Sequence, residues 1–497
     1  MATARPTSTF RLLETTVAAV QRAYETRELS ARELVQAYLD RIDAYDRNGP
    51  ALNAIISIHP EALAQAERLD DAYASSGPIG PLHGVPLVLK DQMDALGTPT
   101  TLGSVLLKDH FPTRDAFVVE RLRAAGAIIM AKSTLGELGG GDAHGTLFGS
   151  TRNPYDLERT CGGSSGGSGA ALAANLATLA VGQEGMASIR RPSAWNNLAG
   201  MRPTGGLVSR GGVFDGWPGI HGSLGPMSRT VYDLAVLLDV MVGYDPEDPS
   251  TAMGAHHIAG SFTSGLDRTA LQGARIGVLR QSMGRGSEPE SEDYRKVAEV
   301  FDRAVGDLAA AGASLVDPIE IPDLNHCLDQ RGGDRGGSVA AFDHYFRRNG
   351  EPPFSSYQEF LASPGYAPRS SGGQIREAPS VVHLEARETL TFNLLKVMED
   401  HHLDAFVHQS VEHQPTLLSE GTKPPFVNVK GATHLNTFLV YVPAVSVPAG
   451  FSSDDLPVGI DFFGRPYSDA ALLRLAYAFE QATGHRRPPR TAPELNA

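Results

Sequence analysis

Apolar residues recur along this chain with two different periods, which alternate from one segment to the next. A helical period begins at Ser30-Ala31-Arg32-Glu33, a capping-box sequence in which hydroxyl and carboxylate satisfy each other's backbone donors, and continues through Tyr45. Further helices are predicted at 60–73, 117–125 (capped by Gly126), 170–177, 291–311 and 469–482. Short, uniformly apolar runs predict buried strands at 85–90, 127–131, 178–181, 276–280, 404–407 and 443–448.

Buried strands that alternate with helices are typical of a sheet covered by helices on both faces. We therefore predict one α/β/α domain over residues 1–497, built on a mixed, largely parallel central sheet. Residues 1–10 are expected to be a loose N-terminal arm. The least regular part of the pattern, 325–390, carries repeated glycines and predicts an insertion or lid.

Composition and charge exclude several classes of protein. The chain has 57 acidic and 43 basic residues and a net charge of −14, which argues against nucleic-acid and membrane-surface binding. Its two cysteines, Cys161 and Cys327, are too few for a disulfide scaffold or a Cys-rich zinc site. No apolar stretch reaches about 18 residues, and the N-terminus lacks the apolar core of a signal peptide. We expect a cytoplasmic protein.

The most unusual segment is Cys161–Ala170, which reads CGGSSGGSGA. A phosphate-binding loop is disfavoured, because the lysine of the G-x-x-x-x-G-K-[ST] motif is absent. Residues 162–166 match the G-x-S-x-G pattern of a nucleophile elbow, and a flexible loop without chemistry is the third possibility. Strong helix and strand patterns on both sides favour a place inside the fold.

Two further residues point to chemistry. Ser188 follows in a second glycine-containing turn, and Lys90 ends the predicted strand at 85–90. Burial disfavours the charged form of a lysine, so Lys90 is a candidate base near neutral pH; Asp91 is expected to be directed elsewhere. A Ser164-His-Asp hydrolase is the mechanistic rival, but it leaves Lys90 and Ser188 unexplained. The 16 histidines show no H-E-x-x-H or other zinc spacing, so we predict no metal and no cofactor.

With these residues in view, the chain resembles the amidase signature family. The similarity runs from residue 90 to 484 in the family's order and therefore covers nearly the whole chain. The matching segments are Lys90-Asp91, Gly162–Ser168, Ser188–Pro192, Gly200–Gly205, Leu224–Arg229, Pro443–Gly450 and Leu456–Gly459. The resemblance implies the three-layer α/β/α amidase-signature fold.

It also implies a catalytic triad. Ser188 would be the nucleophile, Ser164 a bridging serine in a cis peptide with Gly163, and Lys90 the base. Neutral Lys90 would accept a proton from Ser164, which would accept one from Ser188, so that a serine is activated without a histidine.

Other roles follow from the same resemblance. The expected oxyanion-hole donors are the backbone N–H groups of Gly185, Met186, Ala187 and Ser188. The expected supporting residues are Ser165, Glu184 and Arg190. The predicted substrate contacts are Gly139, Gly140, Met186, Trp195 and Trp217. The chain departs from the family at Glu184, where Asp is usual, and at Met186-Ala187, where a Gly-Gly pair is usual.

The implied function is a free-standing serine hydrolase that cleaves carboxamide C–N bonds through an acyl-enzyme on Ser188. Ester and carbamate (urethane) side activity is expected, and an aryl amidase or urethanase is within this prediction. The alternative is an amidotransferase A-type subunit that acts in a complex on tRNA-linked substrates, although the acidic balance disfavours tRNA. Retention of all three triad residues argues against an inactive scaffold. We expect a small-molecule amide, ester or carbamate as the only binding partner of a monomer or homodimer.

Overall fold

The computed structural model describes residues 10–495, apart from 220–221, 259, 286, 331–334, 337, 351–352, 367–374, 377–379 and 422–441. The predicted N-terminal arm, 1–10, therefore lies outside the described residues except for Phe10.

Seventeen strands occur in the described residues, most of them short and apolar. Their bounds are β1 Ile55–Ile58, β2 Pro86–Lys90, β3 Ile128–Ser133, β4 His144–Gly145, β5 Gly149–Ser150, β6 Arg152–Asn153, β7 Asp156–Thr160, β8 Leu179–Glu184, β9 Ala199–Arg202, β10 Ser223–Ser228, β11 Arg275–Leu279, β12 Ser314–Ile319, β13 Arg335–Gly336, β14 Ile375–Arg376, β15 Ala405–Gln409, β16 Ala444–Phe451 and β17 Pro457–Phe463. The strands predicted from apolar runs are confirmed, with ends that differ by at most three residues.

Eleven of these strands form one sheet in the order β1-β3-β2-β8-β10-β9-β16-β17-β15-β11-β12. Two blocks are parallel, β3-β2-β8 and β15-β11-β12. The other six of the ten pairings are antiparallel. The mixed α/β sheet is confirmed, but its parallel share is smaller than predicted. The physical reason is that β9 and β10, and likewise β16 and β17, follow each other without the crossover helix that parallel pairing needs.

Helices connect these strands and cover the sheet. Their bounds are α1 Val17–Glu25, α2 Ala31–Arg41, α3 Ala62–Ser76, α4 Phe117–Ala124, α5 Gly166–Ala173, α6 Arg190–Trp195, α7 Val231–Met241, α8 Thr251–Gly254, α9 Glu292–Ala310, α10 Leu324–Asp329, α11 Ser338–Arg348, α12 Tyr357–Ala362, α13 Val381–Asp400, α14 Leu418–Gly421 and α15 Asp469–Thr483. Every residue of β2, β3, β8 and β10 is buried, as expected for strands covered on both faces in a three-layer α/β/α fold.

Local sequence signals account for several helix ends. The Ser30 hydroxyl accepts a hydrogen bond from the Glu33 backbone N–H, and the Glu33 carboxylate accepts one from Ser30, so the predicted capping box starts α2. Gly126 follows α4 with a φ of 86°, a left-handed conformation that glycine adopts without a steric penalty.

Two predictions about local structure need correction. The helix predicted at 170–177 begins earlier, at Gly166, so the second half of the glycine-serine segment is helical and buried. The segment 325–390 is more regular than predicted, because its described part contains α11, α12 and the first half of α13. Its glycine-rich portion at 331–337 lies largely outside the described residues, and the lid stays a prediction.

Candidate active site

Lys90 is the last residue of β2 and is completely buried. Its ammonium nitrogen Nζ donates to the Ser164 hydroxyl oxygen at 2.7 Å. It also donates to two oxygens of Gln183 on the adjacent parallel strand β8, the backbone carbonyl at 3.1 Å and the side-chain Oε1 at 3.3 Å. The tertiary structure therefore brings together two of the three residues of the predicted triad.

Burial lowers the pKa of Lys90 from 10.5 to about 7, and the nearby negative charges of Glu184 and Asp215 oppose this shift only in part. The carboxylate next in sequence, Asp91, is directed elsewhere as predicted. It forms an ion pair of 2.8 Å with Lys132, which is equally buried, and it accepts hydrogen bonds from Thr101. Lys90 thus has a proton affinity suited to a base near pH 7.

The glycine-serine segment is held in place from several sides, which excludes the flexible-loop interpretation. The peptide between Gly163 and Ser164 is cis, as the family resemblance implies. The Ser164 carbonyl accepts a hydrogen bond of 3.0 Å from the Gly136 N–H. The Gly163 carbonyl accepts two from the Arg191 guanidinium, at 2.9 and 3.2 Å. A Cβ atom at Gly163 would lie 2.4 Å from the carbonyl oxygen of Gly141, so glycine is required there for close packing.

The turn that carries Ser188 follows β8 directly. The Ser188 carbonyl accepts a hydrogen bond of 3.0 Å from the Ser165 N–H, so Ser188 lies beside the segment that carries Ser164. The Glu184 carboxylate accepts hydrogen bonds from the backbone of Ile189 (2.9 Å) and Arg190 (3.0 Å), which fixes the two residues after Ser188. Ser188 itself is half-exposed and therefore reachable from solvent.

Backbone N–H groups in the same turn are available to a ligand. Within the described part of the chain, the N–H groups of Met186, Ala187 and Ser188 have no hydrogen-bond partner. Unpaired backbone donors beside a reactive hydroxyl are what stabilisation of an oxyanion requires. The replacement of the family's Gly-Gly pair by Met186-Ala187 leaves these donors in place, and Met186 is half-exposed.

Glu184 and Arg190, the two charged residues among the expected supporting residues, form a buried ion pair. The Arg190 guanidinium contacts one Glu184 carboxylate oxygen at 2.6 Å and the Asp461 carboxylate at 2.7 Å. Arg202 is 3.4 Å from Glu184, so two arginines and two carboxylates share the interior. Burial by itself would lower the pKa of Arg190, but the negative charges of Glu184 and Asp461 outweigh it and raise the pKa.

The five predicted substrate contacts fall into different environments. Gly139 and Gly140 are half-exposed and follow closely after Gly136, whose N–H binds the Ser164 carbonyl, and Met186 is half-exposed in the turn that carries Ser188. Trp195 is completely buried, and its indole N–H donates to the His413 carbonyl at 3.0 Å. A Cβ at Gly162 would lie 2.9 Å from its ring. Trp195 therefore packs against the glycine-serine segment and is not exposed to solvent, and its role in substrate binding stays a prediction.

Trp217 lies in the loop that also carries Asp215. It is half-exposed and lines a cavity of about 670 Å³ together with Pro218, Arg114, Glu247 and Arg348. This cavity contains none of the three triad residues in its wall. The role of Trp217 in substrate binding stays a prediction.

Sequence reasoning missed two residues of the site, Gln183 and Arg191. Gln183 holds Lys90 through two oxygens, and Arg191 links the Gly163 carbonyl to the Asp142 carboxylate, 2.7 Å away. Arg191 stands at the unspecified position of the motif Ser188-Ile189-Arg190-x-Pro192, so the motif did not point to it. Gln183 was not detectable either, because its contact depends on how β2 and β8 are aligned.

The described residues contain no group of three or more His, Cys, Asp or Glu side chains placed to bind a metal ion. None of their helices has the length and apolar character that a membrane span requires.

Comparison with known proteins places this arrangement in context. The family model described as Amidase matches residues 33–473. The crystal structure of native peptide amidase from Stenotrophomonas maltophilia is similar over 97% of this chain and 99% of its own, with a TM-score of 0.85 and 32% identity. The A-type subunit of glutamyl-tRNA(Gln) amidotransferase from Moorella thermoacetica is 33% identical over 93% of this chain and 96% of its own length.

A more distant likeness concerns the fold alone. A bacterial aryl acylamidase described as an amidase signature enzyme has a TM-score of 0.76 at 24% identity, over 95% of this chain and 96% of that one. The peptide amidase and the amidotransferase chain thus resemble this protein over nearly their whole lengths, although their names describe different substrates.

Proposed function

The chain belongs to the amidase family, and on that premise we propose that it is a free-standing serine hydrolase that cleaves carboxamide C–N bonds through an acyl-enzyme. In this proposal Ser188 is the nucleophile, Ser164 transfers protons, and Lys90 is the base. Membership of the family supports an amidase-type activity on C–N bonds. The roles of the individual residues are our assignment.

One observation carries the assignment. Lys90 is buried, its pKa is lowered to about 7, and its amine lies 2.7 Å from the Ser164 hydroxyl. A buried lysine in hydrogen-bond contact with a serine has the geometry and the proton affinity of a general base. No histidine is needed for this activation, so the Ser164-His-Asp hydrolase is disfavoured.

The reaction then proceeds by a proton relay. Neutral Lys90 takes the proton of Ser164 while Ser164 takes that of Ser188, and the Ser188 oxygen bonds to the substrate carbonyl carbon. The carbonyl π electrons move to oxygen, and the unpaired N–H groups of Met186 and Ala187, with that of Ser188, stabilise the negative charge. Collapse of this intermediate breaks the C–N bond, and the relay returns a proton to the leaving amine. A water molecule, activated by the same relay, then attacks the carbonyl carbon of the acyl-enzyme ester. This step releases the carboxylate product and regenerates the Ser188 hydroxyl.

Substrate preference is the less defined part of the proposal. Esters and carbamates present the same carbonyl carbon to Ser188, so we propose them as side substrates. The proposed substrate contacts are the half-exposed residues Gly139, Gly140 and Met186. Aryl amide and urethane substrates, a monomeric or homodimeric state, a single domain and a cytoplasmic location remain our predictions.

A role within an amidotransferase complex is the second candidate, and the similarity to the A-type subunit of glutamyl-tRNA(Gln) amidotransferase favours it. A chain of that kind would need partner chains and a tRNA-linked acceptor for its full reaction. The net charge of −14 makes direct tRNA binding by this chain unfavourable.

The test is an activity screen of the purified chain on aryl amides, aryl esters and aryl carbamates in parallel. We expect amide hydrolysis without any partner, and its loss in Ser188→Ala. The matched control is Ser168→Ala: Ser168 lies in the same glycine-serine segment, but its hydroxyl pairs with Ser133 at 2.8 Å and makes no hydrogen bond with Lys90. A serine-directed phosphonate should form its adduct on Ser188 by mass spectrometry. An adduct on Ser164, or activity only in a complex, would contradict the proposal.

A further inference from the structure

Gln183 contacts the candidate base in an unusual way, because one residue supplies two acceptors to the same nitrogen. Lys90 Nζ lies 3.1 Å from the Gln183 backbone carbonyl and 3.3 Å from its side-chain Oε1, and the Ser164 hydroxyl at 2.7 Å is the third oxygen around it. Within the described residues these are the hydrogen-bond partners of Lys90 Nζ, and all three are uncharged.

The number of N–H donors on the Lys90 amine depends on its protonation state. A protonated lysine has three N–H donors, and three acceptors surround it. A neutral lysine has two N–H donors and one lone pair. If both N–H groups donate to the two oxygens of Gln183, the lone pair is left facing the third partner, the Ser164 hydroxyl, from which a base must take its proton.

We propose that Gln183 is a positioning residue that orients neutral Lys90, so that its lone pair faces the Ser164 hydroxyl. This inference rests on the proposed function, since it assigns a role within the same relay. Without the side-chain oxygen, one N–H of the amine would compete for Ser164 as acceptor, and a fraction of the neutral lysines would be turned away from the proton they must receive.

The surroundings of Gln183 keep its side chain in this place. Gln183 is only 6% exposed, and Ser165 binds its backbone, with the Ser165 hydroxyl 3.2 Å from both the carbonyl oxygen and the amide nitrogen. On the other side, a Cβ at Gly222 would lie 2.5 Å from the Gln183 side-chain nitrogen, so the glycine at this position leaves room for the amide.

Several charged groups near Lys90 influence its pKa. Glu184, on the same strand as Gln183, and Asp215, in the loop before β10, both favour the charged lysine. Glu184 is neutralised by Arg190 and Arg202, and Asp91 on the other side of the lysine by Lys132. A neutral amide at 183 therefore adds acceptors without adding a negative charge, which a carboxylate would do.

Two variants of Gln183 separate the effect of its acceptor oxygen from the effect of its neutral charge. Gln183→Met keeps the length of the side chain and removes its acceptor; we expect kcat for amide hydrolysis to fall at least tenfold across the pH range, with little change in KM. Gln183→Glu keeps the acceptor and adds a charge; we expect the rising limb of kcat/KM against pH to move to higher pH by one unit or more. A Gln183→Met enzyme with wild-type kcat and an unchanged pH profile would overturn the proposal.

A measurement that does not depend on turnover distinguishes this inference from the proposed function. In Ser188→Ala, the titration of the buried Lys90 amine can be followed against pH by NMR of lysine labelled with carbon-13 at Cε, with Lys90→Met to assign the signal. Addition of Gln183→Glu should shift the titration midpoint upward, and an unshifted midpoint would overturn the role of Gln183. If Ser188→Ala instead hydrolysed amides at the wild-type rate, Ser188 would not be the nucleophile. The titration of Lys90 would still test the contact between Gln183 and Lys90.

Discussion

Among the described residues, two lysines are buried on neighbouring parallel strands, and their surroundings differ. Lys132 on β3 lies 2.8 Å from the Asp91 carboxylate, and both side chains are fully buried. Lys90 on β2 is just as buried, but its partners are the uncharged oxygens of Ser164 and Gln183. A buried cation with a carboxylate partner is a structural ion pair, whereas one with only neutral acceptors gives up its proton near neutral pH.

The comparison also shows why neighbours in sequence need not be electrostatic partners. Lys90 and Asp91 are adjacent, yet side chains of consecutive residues in an extended chain point to opposite faces. Asp91 is consequently available to Lys132, which aligns with Leu89 across the β2–β3 pair. Among the described residues, Lys90 is left without a carboxylate in direct contact.

Lys90→Met should produce the largest effect, because it removes the candidate base. We expect the kcat/KM of amide hydrolysis to fall by about 10²–10⁴, the usual contribution of a general base, and ester hydrolysis to fall less. Lys90→Arg should not restore activity, since a guanidinium remains protonated. Near-normal amidase activity in Lys90→Arg would show that Lys90 is a structural cation like Lys132.

Lys132→Met should act mainly on stability. It leaves the buried Asp91 carboxylate without its partner, and breaking a buried pair in this way costs about 3–5 kcal/mol in the free energy of unfolding. Denaturant titration of the variant measures this loss. Asp91→Asn combined with Lys132→Met should recover much of it, because no buried charge remains; a double variant as unstable as Lys132→Met would argue against the ion pair as the cause.

The pH dependence of kcat/KM in the wild-type enzyme tests whether Lys90, unlike Lys132, acts as a base. Since Lys90 must be neutral to accept a proton, kcat/KM should rise about tenfold per pH unit below pH 7 and level off above it. The midpoint follows from the lowered pKa of about 7. Steady-state rates between pH 5 and pH 9 test this expectation, and a rate independent of pH across that range would rule out a lysine base.

The smallest effect concerns the pH dependence of stability. Between the folded pKa of about 7 and the unfolded value of 10.5, the unfolded chain binds a proton at Lys90 that the folded chain does not. Stability should therefore rise with pH in this window, by about 1.4 kcal/mol per unit from this one group. In Lys90→Met this contribution is absent. The difference in unfolding free energy between the two proteins, followed at pH 7.5 and 9, should change accordingly; a constant difference would contradict the shift.

Much of the fold followed from local signals that need no tertiary information. The capping box at Ser30, the glycine after α4 and the apolar runs located helices and strands to within a few residues. The burial of Lys90 was likewise predictable, because this residue ends an apolar run that reads as a buried strand. The start of α5 was missed since glycine and serine are poor helix formers, and only packing against its neighbours makes the segment helical.

The sequence alone located the buried strands and several of the helices, because their apolar patterns are encoded locally, and it singled out Lys90, Ser164 and Ser188 as candidates through their motifs. The tertiary structure decided which oxygens surround the lysine. Gln183 reaches Lys90 only because β2 and β8 pair in parallel with Leu89 opposite Val181, and a shift by one residue would turn Gln183 to the other face of the sheet. The register of the β2–β8 pair depends on packing across the whole sheet, and the residue pattern of a single strand does not determine it.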